Sequence, residues 1–406
     1  MRKTTSVALP TVGDASGRSL GKEELAELRE VIDSGRLNQV GGTKVRQFEE
    51  AFATRFGVRH AVASSSGTAA VHSAVIAAGI NPGDEVIVPP ITDMGTLIGV
   101  LYQNAIPVFA DLDPETFCLD PADVARKITD RTRAVIAVHL FGHPADMTEL
   151  ARLARRHRLI LIEDCAQSFL AEDHGRLLGS IGRIGCFSFQ QSKHMTTGDG
   201  GMTITNDGKL ARRLALARDK AWPRQGNVRQ HLFLAPNYRM TELQAAVGLA
   251  QLRKLDRMVD ARVRMAGRLS DKIRDIPGIR PPVVRPWARH TYWQYVVSLQ
   301  PGRFRGGIKR FAEELRRMGL PAIPGYTGVP VYAYPVLARK RTYGNSHCPY
   351  ECPLHGRDVE YRRGLCPEAE RILKRILVIG WNERMTDRHA DFIAGRLRAA
   401  AQKLRR

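Results

Sequence analysis

The sequence has few cysteines, no long apolar run and no apolar leader. Six cysteines in 406 residues are too few for a disulfide-stabilised fold of this size. No stretch approaches the roughly 20 consecutive apolar residues of a membrane span. The opening residues, "MRKTTSVALPTVGDASG", contain no apolar signal segment. These absences predict a cytoplasmic protein without a membrane partner.

Acidic residues are also scarce. The chain has 41 Asp and Glu against 62 Lys and Arg, a formal net charge of +21, and such an excess often accompanies nucleic-acid binding. The arginines, however, are spread along predicted helices such as "ELARLARRHR", and no basic block is interleaved with aromatic residues. We interpret most of the charge as solvated helix faces and keep nucleic-acid binding only as an alternative.

A zinc site is not expected either. Cys348, Cys352 and Cys366 lie near His347 and His355. Their spacing matches no regular zinc-binding pattern, and a proline follows each cysteine. We interpret the segment as a proline-stiffened stretch of surface and predict no metal ion.

From about residue 58, short β-branched runs alternate with amphipathic stretches. This alternation predicts βα units around a mainly parallel sheet, and therefore an α/β fold with helices on both sides. Predicted strands cover 59–64, 84–89, 106–112, 133–140 and 159–164, with two closing strands at 186–190 and 201–207. Predicted helices cover 67–79, 92–103, 120–128 and 146–157.

The alternation stops near residue 207, and a long amphipathic stretch at 241–273 follows, with Thr241 as its predicted N-cap. Beyond it, a strand at 291–299 and helices at 307–318 and 386–404 indicate a second module. Chains of this length usually divide their core. We predict an N-terminal segment 1–30, a large domain 31–255 and a smaller C-terminal α/β domain 256–406.

Lys193 lies in "FSFQQSKHMTTGDGGM" (187–202), between small and polar residues that leave room for a flat cofactor. A lysine amine that loses its proton forms a Schiff base with a carbonyl group. Asp164 ends the predicted strand "LILIED", where open α/β sheets present ligand-binding groups. Its carboxylate suits a protonated pyridine nitrogen, and Gln167 is within reach of the same ring. These residues indicate a pyridoxal 5'-phosphate site, although Asp164 is also compatible with a helix cap.

A phosphate cradle is predicted at "SSSGTAA" (64–70), which follows the first strand and opens a helix. Backbone N–H groups at a helix N-terminus, with the hydroxyls of Ser66 and Thr68, suit a dianion. Gly67 allows the backbone to come close, and Ser188 at a strand end adds a further contact. Taken alone, the motif is also typical of an ordinary helix N-cap.

With these motifs the chain resembles the DegT/StrS-type sugar aminotransferases. They belong to the fold-type I, aspartate-aminotransferase-like class of pyridoxal phosphate enzymes. The resemblance rests on five motifs in order: "SSGTAA", "PGDEVIVP", "IEDCAQS", "FSFQQSKHMTTGDGGM" and "PNYRMTELQAAVGLAQLRKLD". It covers most of the chain and implies a large cofactor-binding domain followed by a smaller C-terminal one.

The resemblance also implies roles for individual residues. Lys193 would bind pyridoxal 5'-phosphate through a Schiff base, Asp164 would pair with the ring nitrogen and Gln167 would contact the ring hydroxyl. Asn237 would reach the phosphate in the neighbouring subunit, which implies a homodimer with shared active sites. The phosphate within the same subunit would be bound by Ser66, Gly67, Thr68 and Ser188.

Two positions depart from the family pattern, and the milder departure is Asp199 in "TTGDGG", where the family commonly carries glutamate. Asp93, in "PPITDMGT", stands where the family usually carries an aromatic residue that stacks on the cofactor ring, and Met94 is a candidate for covering the ring instead. Asp93, Arg239 and Tyr326 are candidate substrate contacts, although Arg239 is equally typical of a surface ion pair. The aromatic segments 290–297 and 323–334 are interpreted mainly as core.

The implied reaction moves an amino group from L-glutamate or L-glutamine to a keto-sugar, in particular a nucleotide-linked one, or to a keto-cyclitol. Such reactions belong to antibiotic or surface-glycan biosynthesis. One alternative is dehydration or deoxygenation of a sugar, for which a family member carries histidine in place of the Schiff-base lysine. Lys193 holds that position here and His194 only follows it, which favours amino transfer. The other alternative is a non-catalytic regulatory or nucleic-acid-binding protein on the same fold.

Overall fold

The structure is a computed structural model that describes residues 7–224 and 230–406. Residues 1–6 of the predicted N-terminal segment and 225–229 of the loop before the long helix lie outside the described residues. The helices are α1 (Lys22–Ser34), α2 (Lys44–Phe56), α3 (Gly67–Ala77), α4 (Gly95–Tyr102), α5 (Pro121–Lys127), α6 (Met147–His157), α7 (Gly208–Ala217), α8 (Glu242–Ile273), α9 (Gly307–Arg317), α10 (Pro335–Ala338), α11 (Pro367–Leu373) and α12 (Asp387–Leu404).

The strands follow the predicted runs closely in the first half of the chain. They are β1 (His60–Ser64), β2 (Glu85–Val88), β3 (Ile106–Phe109), β4 (Thr132–Val138), β5 (Ile160–Asp164), β6 (Glu172–Asp173), β7 (Arg176–Leu177), β8 (Ile184–Ser188), β9 (Gly201–Thr205), β10 (Ile279–Arg280), β11 (Ala288–Arg289), β12 (Gln294–Leu299), β13 (Ala322–Pro324) and β14 (Ile376–Gly380).

Within the described residues, the central sheet has seven strands in the order β1, β9, β8, β5, β4, β2, β3. The neighbours from β3 to β8 run parallel, whereas β9 is antiparallel to both β8 and β1. Strands β2, β8 and β9 are buried at every position, as expected for a sheet covered by helices on both faces. The α/β class, the mainly parallel sheet and the two closing strands are therefore confirmed.

The C-terminal part contains a second, antiparallel sheet in the order β10, β12, β14, β13. Strand β14 is not among the predicted strands, although its letters "ILVIG" are almost uniformly apolar. A short apolar run without alternation fits a buried strand and a buried helix segment equally well. Only in the folded chain, where the segment pairs with β12 and β13, is it identified as a strand.

Helix α8, 32 residues long, joins the two parts. Leu255 and Val259 pack into the core of the central sheet, and Leu269 and Ile273 pack into the core of the second sheet. The predicted boundary between 255 and 256 falls inside this helix and stays a prediction. None of the helices in the described ranges has the length and apolar character needed to cross a bilayer.

The start of α8 also fixes the start of α2. Thr241 caps α8 as predicted, and its hydroxyl accepts from the backbone N–H of Gln244. The carboxylate of Glu242, which is 2% exposed, accepts from the backbone N–H groups of Thr43, Lys44 and Val45 at 2.7, 2.6 and 3.1 Å. One carboxylate thereby satisfies three donors that a helix N-terminus leaves unpaired.

Among the described residues, the one group of three candidate metal-binding side chains is His139, Glu163 and Cys165. Glu163 already accepts three backbone N–H bonds from residues 179–182. Burial raises the pKa of the Cys165 thiol, so it stays protonated. In the C-terminal cysteine segment, His355 hydrogen-bonds the carboxylate of Glu85 at 3.0 Å. These side chains serve packing and hydrogen bonding.

We predict that Glu242→Ala lowers the free energy of unfolding by about 1–3 kcal/mol, because it leaves buried backbone donors without an acceptor. Urea unfolding of both proteins measures the difference. Glu50→Ala is the matched control on α2, since its side chain is 65% exposed and its loss should change stability by about 0.5 kcal/mol or less. Equal stabilities of the Glu242 and Glu50 variants would contradict the capping role.

Candidate active site

A cavity of about 360 Å³ opens at the carboxyl ends of the central strands. Its walls come from the β1–α3 connection, the segment before α4, the end of β5, and the loop that follows β8. Trp293 and Tyr326 reach it from the C-terminal part of the chain. The sheet topology explains the location, because parallel strands present their carboxyl ends, and the residues that follow, at a common edge.

Lys193 lies in the loop after β8 and is 9% exposed. Its backbone N–H donates to the carbonyl of Gln190 at 2.9 Å. Burial lowers the pKa of its ammonium group, and the nearby carboxylates of Asp164 and Asp93 oppose that shift. The net effect increases the share of neutral amine, which is the form that reacts with a carbonyl group.

Asp164, at the end of β5, is buried in the same cavity. Its Oδ2 accepts from the hydroxyl of Thr96 at 2.7 Å, and its Oδ1 accepts from the N–H of Ala166 at 3.1 Å. Burial raises the pKa of the carboxyl group, against the opposing effects of these hydrogen bonds and of Lys193. A buried carboxylate held by two donors fits a cationic ring nitrogen, because such a partner compensates the cost of its burial.

Thr96 was not identified from the sequence. It also hydrogen-bonds Thr92 at 2.8 Å, so a pair of buried hydroxyls supports Asp164. Threonines four residues apart at the start of a helix are common in sequences, and no local signal marked these two as partners of a carboxylate.

Gln167 has its amide orientation fixed by the fold. Its Oε1 accepts from the backbone N–H of Phe141 at 2.8 Å, and its Nε2 lies 3.4 Å from the hydroxyl of Tyr326. The amide therefore directs its donor end towards the cavity. A donor at this place fits the predicted contact with a ring hydroxyl.

The β1–α3 connection has the close approach that a phosphate cradle requires. Ser66 is the N-cap of α3, and its hydroxyl accepts from the N–H of Ala69 at 3.0 Å. A Cβ at Gly67 would lie 2.5 Å from the Cβ of Ser188, so only glycine lets Ser188 meet the helix N-terminus. Thr68 completes the group on the same cavity wall. Two serines, a threonine and the positive end of an 11-residue helix fit a phosphate dianion.

The structure brings together nine of the predicted site residues in one cavity. They are Ser66, Gly67, Thr68, Asp93, Asp164, Gln167, Ser188, Lys193 and Tyr326.

Asn237 and Arg239 do not line this cavity. Asn237 is exposed, and its side chain accepts from the backbone N–H of Arg239 at 3.4 Å. The guanidinium of Arg239 pairs with Asp219, which also pairs with Arg224. Their predicted roles stay predictions.

The ring-covering candidate Met94 packs against the core of the central sheet instead of lining the cavity. Met94 is the N-cap residue of α4. Aromatic residues reach the cavity from the C-terminal part instead, through Trp293 and Tyr326. From sequence, the segments that contain Trp293 and Tyr326 are expected to lie mainly in the core.

Comparison with known proteins agrees with this geometry. The model of the DegT/DnrJ/EryC1/StrS aminotransferase family matches residues 18–351. GDP-perosamine synthase of Caulobacter vibrioides is 42% identical over 297 residues, which cover 72% of this chain and 79% of the relative. The L-glutamine:2-deoxy-scyllo-inosose aminotransferase of Streptomyces kanamyceticus is 37% identical over 373 residues, covering 87% of this chain and 85% of the relative.

Solved structures agree as well. The aminotransferase from Psychrobacter cryohalolentis superposes with a TM-score of 0.85 at 28% identity, covering 96% of this chain and 98% of that one. DesV of S. venezuelae superposes with a TM-score of 0.82 at 32% identity, covering 94% of each chain. The expected fold type, activity class and cofactor are thereby confirmed. The chain belongs to the DegT/DnrJ/EryC1/StrS family of pyridoxal phosphate-dependent aminotransferases.

Proposed function

We propose that this protein transfers an amino group from L-glutamate or L-glutamine to a keto-sugar or a keto-cyclitol, in the cytoplasm. The observation that carries the proposal is the buried Lys193 amine facing the cavity that also holds Asp164 and the phosphate cradle. The relatives support the acceptor class, since one is named for a nucleotide-linked amino sugar and another for an inosose. Biosynthesis of a surface glycan or an antibiotic is the matching context.

Besides Lys193, which would bind the cofactor through a Schiff base, three groups of this chain would hold it. The N-terminus of α3, with Ser66, Thr68 and Ser188, would bind its phosphate. Gln167 would donate to the ring hydroxyl, and Asp164 would keep the ring nitrogen protonated. When bound, pyridoxal phosphate supplies an aldehyde for Schiff-base formation and a ring that withdraws electrons.

Lys193 would also carry the proton of the reaction. In its neutral form, which burial favours, the Nζ atom accepts a proton from the donor's α-carbon and releases it later in the cycle. The cavity restricts water, so this proton stays between enzyme and substrate.

The acceptor would be held at the side of Asp93 and Tyr326. The Oδ1 atom of Asp93 accepts from the backbone N–H of Gly95 at 2.8 Å, which leaves its other oxygen for a substrate hydroxyl or ammonium group. Tyr326 presents a hydroxyl beside Gln167. A carboxylate and a phenol suit the polyhydroxylated ring of a sugar or cyclitol.

A homodimer with shared active sites belongs to the proposal. Its support is the position of Asn237, which is exposed and outside this chain's cavity. An exposed amide next to an anchored Arg239 is suited to reach a neighbouring subunit.

Dehydration is less well supported than amino transfer. His194, the residue beside the lysine, is buried and makes a hydrogen bond to the carbonyl of Thr291 at 2.9 Å. It does not line the cavity. The group that faces a substrate is therefore the amine of Lys193.

We predict that either amino donor, added alone to the holoenzyme, bleaches the visible band of the bound cofactor and releases a keto acid. Lys193→Ala should abolish both the borohydride-sensitive band and turnover, because no other amine is proposed to form the Schiff base. Visible spectroscopy and a keto-acid assay measure these effects, and circular dichroism checks the fold. The exposed Lys209→Ala is the control, and full turnover by the Lys193 variant would disprove the assignment.

Asp164→Asn should retain the cofactor but slow the donor half-reaction by about 100-fold or more, because a neutral amide does not stabilise a protonated ring nitrogen. Stopped-flow spectroscopy of a single turnover measures the rate. Asp33→Asn, on the exposed surface of α1, controls for a general effect of charge. An unchanged rate in the Asp164 variant would rule out its role beside the ring.

Asp93→Asn is predicted to raise KM for the acceptor about tenfold while it leaves the donor half-reaction nearly unchanged, because a charge-assisted hydrogen bond to the acceptor is lost. Steady-state kinetics with a keto-cyclitol, and separately with a nucleotide-linked keto-sugar, measure the KM for each acceptor. Asp93→Glu should restore part of the affinity. An effect on the donor alone would place Asp93 on the donor side instead.

A further inference from the structure

Trp293 is the nearest aromatic ring to the Lys193 amine. The Nζ atom lies 4.3 Å from the centroid of the indole ring. This side chain is 7% exposed and lines the cavity, yet none of the roles described above uses it. A cation this close to the face of an indole is attracted by the negative charge of the ring's π face.

Trp293 also contacts the backbone of the lysine loop. Its Nε1–H donates to the carbonyl of Ser192 at 2.8 Å. On the other side of the same loop, the Arg18 guanidinium donates to the carbonyl of Lys193 at 2.7 Å. The N-terminal segment and the C-terminal part of the chain therefore hold two successive peptide groups at Lys193.

The indole is itself held firmly. The backbone N–H of Trp293 donates to the carbonyl of Phe141 at 2.8 Å, and its ring packs edge-on against Tyr326 with centroids 6.2 Å apart. The ring itself is held by its Nε1–H bond to Ser192 and by its edge contact with Tyr326, which restrict its movement away from Nζ.

The contact between Nζ and the indole ring matters for the protonated form of Lys193. Burial disfavours the ammonium form of Lys193, and a protonated amine in the cavity needs nearby negative charge. The ionisable groups around it are Asp93, Asp164, Cys186, Asp199 and Tyr326 on the cavity wall, with His194 and Arg18 behind the loop. Asp164 is proposed to pair with the nitrogen of the cofactor ring. The indole face of Trp293 has no such partner, so its attraction stays available to the protonated amine.

We propose that Trp293 is a positioning residue for Lys193, whose indole N–H fixes the lysine loop and whose ring face holds the amine while it is protonated. This inference rests on the proposed function of Lys193. In the cycle, Nζ gains a proton when the donor's α-carbon loses it, and one N–H bond replaces one C–H bond. The ring face would stabilise the resulting ammonium group until the proton is passed on, which restores the neutral amine.

The ring contact can be tested in the cofactor-free protein. The Lys193 amine is acetylated over a range of pH, and its peptide is quantified by mass spectrometry, which yields the pH midpoint of reactivity. The chain has four tryptophans, and replacing them with mono-, di- and trifluorinated tryptophan weakens the π face while almost preserving the shape. We expect the midpoint to fall with each fluorine, by about half a pH unit or more over the series.

The matched control is the same fluorinated series made with Trp293→Phe, in which the three other tryptophans carry the fluorines. Its midpoint should stay constant along the series. An unchanged midpoint in the wild-type series, or an equal fall in both series, would overturn the ring contact. The labelling requires neither cofactor nor turnover, so it succeeds or fails independently of the proposed aminotransferase reaction.

The backbone contact has a separate readout. Trp293→Phe keeps an aromatic ring but removes the N–H that donates to Ser192, so hydrogen–deuterium exchange in residues 190–196 should become at least severalfold faster. Trp287→Phe, which alters an indole stacked on His174 away from the lysine, should leave that exchange unchanged. We also expect the Trp293 variant to lose kcat with little change in donor KM. Wild-type exchange and an unchanged kcat in the Trp293 variant would overturn the positioning role.

Discussion

The burial of one amine and one carboxylate in the same cavity is the constraint on which the active site depends. Burial raises the pKa of Asp164 and lowers the pKa of Lys193, so in each case desolvation outweighs the attraction between them. Without a bound partner, the cavity therefore disfavours both the carboxylate form of Asp164 and the ammonium form of Lys193. The two groups fit a flat cofactor with a cationic nitrogen and an aldehyde, because Asp164 would then have a cationic partner and Lys193 would react as the neutral amine.

The fold produces this arrangement through the central sheet. Asp164 ends β5 and Ser188 ends β8, and the two strands are parallel neighbours, so their last residues share one edge. The antiparallel strand β9 pairs with both β8 and β1, and this pairing brings the β1–α3 connection to the same edge. The close fit of Gly67 against Ser188 then fixes the phosphate cradle relative to the lysine loop. Aromatic residues from the C-terminal part close the cavity on its far side.

Much of this could be predicted from the sequence, because local patterns carry local information. The alternation of apolar runs and amphipathic stretches predicted the strands from β1 to β5 to within three residues at each end, and Thr241 was predicted as the cap of α8. Lys193, Asp164, Gln167 and the cradle were predicted as one site because each lies in a motif at or shortly after the end of a predicted strand. Strand β14 was missed, since its almost uniformly apolar letters do not reveal which neighbours it pairs with.

By itself, the sequence determined the α/β class, through the alternation of apolar runs and amphipathic stretches, and the family and the cofactor, through motifs of a few adjacent residues. Only the tertiary structure decided what surrounds them. It showed that Thr96 supports Asp164, that Met94 faces the core, and that Trp293 lies over a lysine 100 positions earlier in the chain. Such contacts join segments far apart in sequence, and their geometry is set by the packing of whole elements, which no local pattern encodes.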